Sequence, residues 1–401
     1  MSGEQPLSQK TVYFRLPSGI WGLGFVSMFM DISSELVHSI LPLFMATVLG
    51  TPMITIGIIE GFAEATAAVT KVFSGVISDY CGKRKSLALI GYTLSAITKP
   101  AFALATTISL VFGARFVDRI GKGIRGAPRD ALVADISPPE LRGAAYGLRQ
   151  SLDSVGAFIG PLLAVIFMIR FRDNLRSVLW VAVVPGLIAV LLLIFTVQEP
   201  LCNTRKDDPA NNFSLNNIRL LTVRYWLVVA IGAVFTLARF SEAFLILRAD
   251  DIGLPVAYVP LIMVVMNIVY SLFAYPAGAA ADRFSARTIL LSGLVILIAA
   301  DVILALSVPP WVTFIGAALW GLHMAFTQGL LSKLIADNAP DELRGTAFGV
   351  FNLAVGFALF LASFIAGSLW TAFGAPATFI AGAFIAFVAA AGLLFFSSGD
   401  K

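Results

Sequence analysis

Apolar stretches of about 20 residues or more recur along the whole chain, each long enough to cross roughly 30 Å of hydrocarbon as a helix. Twelve can be read, at 19–48, 53–78, 86–106, 108–135, 145–169, 177–197, 225–247, 256–281, 288–307, 311–336, 347–370 and 376–396. The two-residue alternation of a membrane β-barrel is absent. Only 13% of the 401 residues are charged, against about 25% in soluble chains, so the sequence belongs in a bilayer. The fold class this predicts is an all-α membrane protein with twelve transmembrane helices. The first 18 residues mix Glu4, Lys10 and Arg15 and lack the short apolar core of a signal peptide.

The chain also repeats itself by halves. LVADISPPELRGAAYG at 132–147 returns as LIADNAPDELRGTAFG at 334–349, and GVISDYCGKRK at 75–85 returns as GAAADRFSAR at 278–287. Such a repeat predicts two pseudo-symmetric six-helix bundles of parallel topology, related by an axis along the membrane normal. The polar stretch after span 6 reads as their connector. The expected division is an N-terminal bundle at 1–197, a cytoplasmic linker at 198–224 and a C-terminal bundle at 225–401.

Basic residues set the orientation. Lys83, Arg84, Lys85, Arg142, Arg205, Lys206, Arg283, Arg287 and Arg344 fall on one side if the helices alternate. The opposite loops near 50, 107, 309 and 374 carry no Lys or Arg, although Arg170, Arg172 and Arg176 depart from the rule. A multi-pass protein of a cell inner (plasma) membrane, with both termini cytoplasmic, is expected. The net charge of +4 follows from loop topology and gives no reason to expect nucleic acid. Cys81 and Cys202 fall in predicted cytoplasmic loops, where free thiols are expected. Gly121-Lys-Gly123-Ile-Arg-Gly126 satisfies the GxGxxG pattern, but no strand precedes it, so close helix packing or a kink at Pro128 is the better reading. No metal-ligand spacing, cofactor motif, nucleotide-binding motif or nucleophile–base constellation is found, and the chain is not read as an enzyme.

In outline, Gly75, Asp79, Gly82, Lys83, Arg84 and Lys85 resemble the loop motif of the major facilitator superfamily, with Tyr80 where Arg is usual. The second copy keeps Gly278, Asp282, Arg283 and Arg287 but has Ser285 in place of Gly. Gly156-Ala-Phe-Ile-Gly160-Pro161 is similar to the antiporter signature of the drug-efflux branches, although Leu163 and Ala164 stand where a closing glycine pair is usual. The resemblance implies alternating access, with spans 1, 2, 4 and 5 lining a central cavity. It also implies a gating contact through Asp79, made in one conformation and broken in the other, with Arg84 and Asp135 in the same network. A carboxylate at that position could bond the free N–H groups of a facing helix start. Lys83, Lys85 and Arg142 could equally do no more than mark topology and solvate a loop, whereas for Asp79 and Arg84 the gating role is the favoured reading.

An ionisable side chain inside a span is costly and is a functional candidate by default. Span 4 carries Arg115, Asp118, Arg119, Lys122, Arg125, Arg129 and Asp130. Arg115, Arg119, Lys122 and Arg129 fall within an arc of roughly 80°. Such a stripe must face a wet cavity or carboxylates on neighbouring helices. Asp31, Glu35 and His38 share one face of span 1, Glu60, Glu64 and Lys71 one face of span 2, and Arg149 and Asp153 one face of span 5. In the second half, Arg239, Glu242, His323 and Gln328 are cavity candidates. The positions matching the stripe there are Ala317, Trp320, Gly321, Met324, Thr327 and Leu331, so the chemistry is expected in the first half and a more apolar wall in the second.

Three readings fit this cluster. Asp31 and Glu35 could carry protons, the stripe could hold a substrate carboxylate or phosphate, or buried ion pairs could simply fix helix packing. The expected function is a monomeric, proton-coupled transporter of a small organic anion, with Arg115, Arg119, Lys122 and Arg149 in contact with the substrate and efflux favoured over uptake. An importer, a divalent-metal exporter using acidic groups with His38, and a transport-inactive receptor or scaffold are the alternatives.

Overall fold

The structure, a computed structural model, describes residues 16–81, 83–199, 220–281, 284–340 and 343–395. Gly82, Asp282, Arg283 and most of the expected linker lie outside them. Fourteen helices are formed among the described residues: α1 Ser18–Leu43, α2 Met53–Cys81, α3 Arg84–Leu104, α4 Ile108–Ile136, α5 Arg142–Arg170, α6 Leu175–Val181, α7 Val183–Thr196, α8 Val223–Ala238, α9 Ala243–Asp251, α10 Leu261–Ala281, α11 Ala286–Leu306, α12 Val312–Asn338, α13 Arg344–Phe373 and α14 Ala375–Phe395. The pairs α6/α7 and α8/α9 each make one crossing, which gives the twelve expected from the apolar stretches. Ten crossings are apolar enough to span a membrane on length and composition alone. One of the other two is α4, whose eight charged side chains dilute its apolar surface.

Two spans read as continuous are interrupted, each for a local reason. Pro185 has no N–H to bond the carbonyl of Val181, and the helix breaks at Ala182. At the break the Ala182 carbonyl accepts both the Gly186 amide at 3.3 Å and Ser33 Oγ at 2.7 Å. The second break, at 239–242, separates α8 from α9. There Ser241 N donates to Ser363 Oγ at 3.1 Å and Arg239 N donates to the Thr236 carbonyl at 3.1 Å, so these backbone donors stay satisfied inside the bilayer. Past Pro42, α1 widens into a π-helical turn, Phe44–Val48.

Glycines set the closest helix approaches. On α2, a Cβ on Gly61 would lie 2.9 Å from Phe360 Cα of α13, and Gly57 meets the Ser363 carbonyl. Nearer the middle of the bundle, Gly356 of α13 faces Ala65 and Ala68 of α2, and at the far end Ile54 N donates to Thr371 Oγ1 at 3.1 Å. This seam joins the first six spans to the last six over about 20 Å of α2, counted from Ile54 to Ala68. It lies at the end of the bundle away from Lys83–Lys85. Halfway along α4, by contrast, Lys122 is exposed although it sits in the middle of a membrane-spanning helix, which marks an opening inside the bundle.

Candidate functional site

The first-half site is built on α1 and backed by α5. A Cβ on Gly156 would lie 2.6 Å from the Met28 carbonyl and 3.0 Å from Asp31 Cβ, and one on Gly160 2.8 Å from the Ile32 carbonyl and 3.0 Å from Glu35 Cβ. The two glycines of the antiporter-like element, with Pro161 next to them in α5, therefore let this helix lie directly against the turns that carry Asp31 and Glu35. Glu35 Oε2 is 3.6 Å from His38 Nδ1. Asp31, half-buried, forms no hydrogen bond or ion pair with any described residue, and its charged neighbours are Asp153, Arg125, Arg129 and Glu35.

The basic stripe of α4 meets carboxylates on α2. Arg115 Nη2 donates to Glu60 Oε2 at 2.7 Å, and the two side chains are 1% and 0% exposed. One turn on, Arg119 Nη1 lies 2.9 Å from Glu64 Oε1, although not aligned as a directed hydrogen bond. Arg125 donates to Ser95 Oγ at 2.6 Å and its guanidinium lies 5.1 Å from the centre of the Tyr92 ring. Arg129 reaches Ser27 Oγ at 3.1 Å and lies 3.3 Å from Asp130. On α5, Arg149 donates to Asp153 Oδ2 at 2.9 Å, the pairing that their spacing predicts, and lies 3.5 Å from Asp130. Arg115 is thus paired with Glu60 in this structure. Lys122 is exposed and forms no ion pair among the described residues, with Glu35 and Glu64 as its electrostatic neighbours.

Sequence reasoning passed over Lys99. It lies fully buried in α3, donates to Asp118 Oδ1 at 2.9 Å and is 3.3 Å from Ser34 Oγ on α1. Asp301 of α11 was passed over too: it is 0% exposed, and neither carboxylate oxygen has a hydrogen-bond partner among the described residues. Both are lone mid-span charges, and the cost argument that singles out α4 would have found them. Glu199 is a third omission. Its carboxylate accepts from Lys85 N at 2.9 Å and Ser86 N at 3.2 Å, capping the free amides at the start of α3.

At the basic end, Arg84 pairs with Asp135 and also lies 3.4 Å from the Ala131 carbonyl. Gly75 packs α2 against Ala127 of α4. The side chain of Asp79 lies outside the described residues. The GxGxxG glycines of α4 serve packing: a Cβ on Gly121 would lie 2.7 Å from the Gly91 carbonyl of α3, and one on Gly123 would lie 2.5 Å from Thr70 Cβ of α2. The helix runs unbroken through Pro128.

The second half gathers cavity candidates read from its sequence. A cavity of about 240 Å³ between α8, α12 and α13 brings together Arg239, His323 and Gln328, with Thr236, Phe235 and Phe351 in its lining. Arg239 stands at the break after α8, and Glu242 stands at the start of α9. Arg239 and Glu242 form no ion pair with each other, and both are electrostatic neighbours of Tyr270.

Twelve membrane crossings that turn their charged side chains inward, onto one another and onto an interior opening, define a polytopic helical membrane protein built around a polar path. A family profile of the Major Facilitator Superfamily matches residues 23–247 and 230–400. The chain belongs to that superfamily, and it is a transporter. An uncharacterized MFS-type transporter of Methanocaldococcus jannaschii is 30% identical over 391 residues, covering 95% of each chain. A multidrug resistance protein MdtL of Shigella flexneri is 25% identical over 309 residues, covering 76% of this chain and 75% of the relative. Among solved structures, the nucleoside transporter NupG superposes with a TM-score of 0.76 at 15% identity, covering 94% of this chain and 98% of its own. A bacterial homolog of the human lysosomal transporter Spinster, in an inward-facing and occupied conformation, gives a TM-score of 0.75 at 15% identity and 98% and 97% coverage. At these identities the structural likenesses speak for the fold alone.

Proposed function

We propose that this transporter is proton-coupled and exports a small organic anion across the inner membrane. In this reading the 1–197 and 225–401 bundles rock against each other, and the termini and the linker are cytoplasmic. The observation that carries the reading is Asp31. Glu60, Glu64 and Asp118 each face a cation within 2.9 Å, whereas Asp31 has no such partner among the described residues, with Arg125, Arg129 and Asp153 among its electrostatic neighbours. A carboxylate poised among charges without being locked to one of them can exchange a proton as those charges move. Glu35, next to His38, is the second proposed carrier. Arg119, Lys122 and Arg149 are the proposed first-half anion contacts, and Arg115 enters as the partner that keeps Glu60 neutralised. Gly75, Asp79, Gly82, Arg84, Asp135, Asp282 and Arg283 make up the proposed gate at the basic end.

The direction of transport rests on the Gly156–Pro161 element and on the multidrug resistance relatives. The divalent-metal alternative has Glu35 3.6 Å from His38, but no cluster of three or more His, Cys, Asp or Glu able to hold a metal occurs among the described residues. The test is flux in proteoliposomes under an imposed pH gradient. Anion flux driven by the gradient and lost in Asp31→Asn is expected. Flux indifferent to pH would rule out proton coupling, and no flux across a broad solute panel would favour a receptor or scaffold.

A further inference from the structure

We propose that the cavity between α8, α12 and α13 is a subsite for a small aromatic anion that also carries a hydrogen-bond donor, with Arg239 taking the anion and His323 Nε2 accepting from the donor. This rests on the reading that the cargo is an organic anion, and it adds a second-half anion contact to those proposed in the first half. In the first half Arg115 and Arg119 each already face a carboxylate, at 2.7 and 2.9 Å. Arg239 lines the cavity and forms no hydrogen bond or ion pair through its side chain with any described residue. The C-terminus of α8, where it stands, offsets only about half a unit charge.

The other groups fix what the anion must carry. His323 Nδ1 is 2.8 Å from the Gly293 carbonyl. A carbonyl can only accept, so Nδ1 bears the proton and the neutral ring offers Nε2 as an acceptor. The hydroxyl protons of Thr236 and Thr327 are likewise spent on the carbonyls of Gly232 at 2.8 Å and His323 at 2.9 Å. Their oxygens therefore present lone pairs. Arg239 is the charged group of the lining, and three other lining groups present acceptors, which favours an anion with an N–H or O–H of its own, because an anion without one leaves those acceptors unpaired. Phe235 and Phe351 supply flat apolar walls. At about 240 Å³ the space is smaller than the roughly 300–1,000 Å³ of drug-sized sites, which suits a single substituted ring.

Calorimetric titration of the detergent-purified full chain with 4-hydroxybenzoate, 4-methoxybenzoate and 4-hydroxybenzamide tests this. 4-Hydroxybenzoate is expected to bind, and Arg239→Gln to weaken it by about tenfold or more, as loss of a charge-assisted hydrogen bond does. Arg239→Lys should weaken it less and should match the wild type in elution profile and melting temperature, which shows that the fold is intact. The benzamide should bind weakly and be indifferent to Arg239→Gln, and His323→Leu should erase the preference for hydroxy over methoxy. Undiminished binding in Arg239→Gln that instead falls in Lys122→Gln overturns the subsite and leaves the organic-anion reading standing. Equal binding of benzamide and benzoate by the wild type overturns both. No binding of any probe by the wild type overturns the subsite.

Discussion

The Arg115–Glu60 pair is the most sharply testable contact in the first half. Both side chains are fully buried and joined at 2.7 Å, yet Arg115 Nε and Glu60 Oε1 have no hydrogen-bond partner among the described residues. Removing one partner strands the other charge, which costs about 3–5 kcal/mol, whereas replacing both with apolar groups of similar volume is often neutral or better. At about 2.1 cal/mol/K per residue, unfolding entropy sums to roughly 0.8 kcal/mol/K over this chain. Arg115→Met should therefore lower the melting temperature by roughly 4–6 °C. The double variant Arg115→Met/Glu60→Leu should return to within about 2 °C of the wild type. Thermal unfolding of the purified protein in detergent, followed by intrinsic fluorescence at one fixed scan rate, reads both values. A single variant that melts with the wild type, or a double variant that melts as low as the sum of both single changes, would refute the reasoning.

Three further outcomes follow from the packing. Gly160→Leu should drive its side chain into the Ile32 carbonyl and Glu35, destabilise by about 1–3 kcal/mol and abolish flux; wild-type stability in the melting assay would contradict the close approach of α1 and α5. Cysteines at Ile54 and Thr371, whose backbone and side chain meet at 3.1 Å, should crosslink on oxidation and stop transport until reductant is added; failure to crosslink would mean that the α2–α13 seam is not closed as described. Asp301→Leu should raise stability by about 1–3 kcal/mol, because it removes two buried oxygens that make no hydrogen bond among the described residues. A lower melting temperature in that variant would show that the carboxyl has a stabilising partner.

The twelve crossings were legible because length and apolarity suffice to identify a spanning helix. The confrontation of α4 with α2 was legible in kind: a basic stripe inside a bilayer must face carboxylates or water, and Arg115–Glu60 and Arg119–Glu64 took the first option while Lys122 took the second. Which arginine met which glutamate was not legible, because it depends on how α2 and α4 are rotated and staggered. That register is set by contacts such as Gly123 on Thr70, between residues about 50 positions apart. The break at 239–242 was hidden for a different reason. It contains no proline or glycine, and it is held open by Ser363, a residue more than 120 positions away.

Proton movement measured directly inside proteoliposomes bears most closely on the central claim. With a pH-sensitive dye trapped in the lumen, a gradient of a transported organic anion should drive a change in lumenal pH that is present in the wild type and absent in Asp31→Asn. Anion flux of normal size in the wild type with no accompanying pH change, or an undiminished pH change in Asp31→Asn, would contradict it.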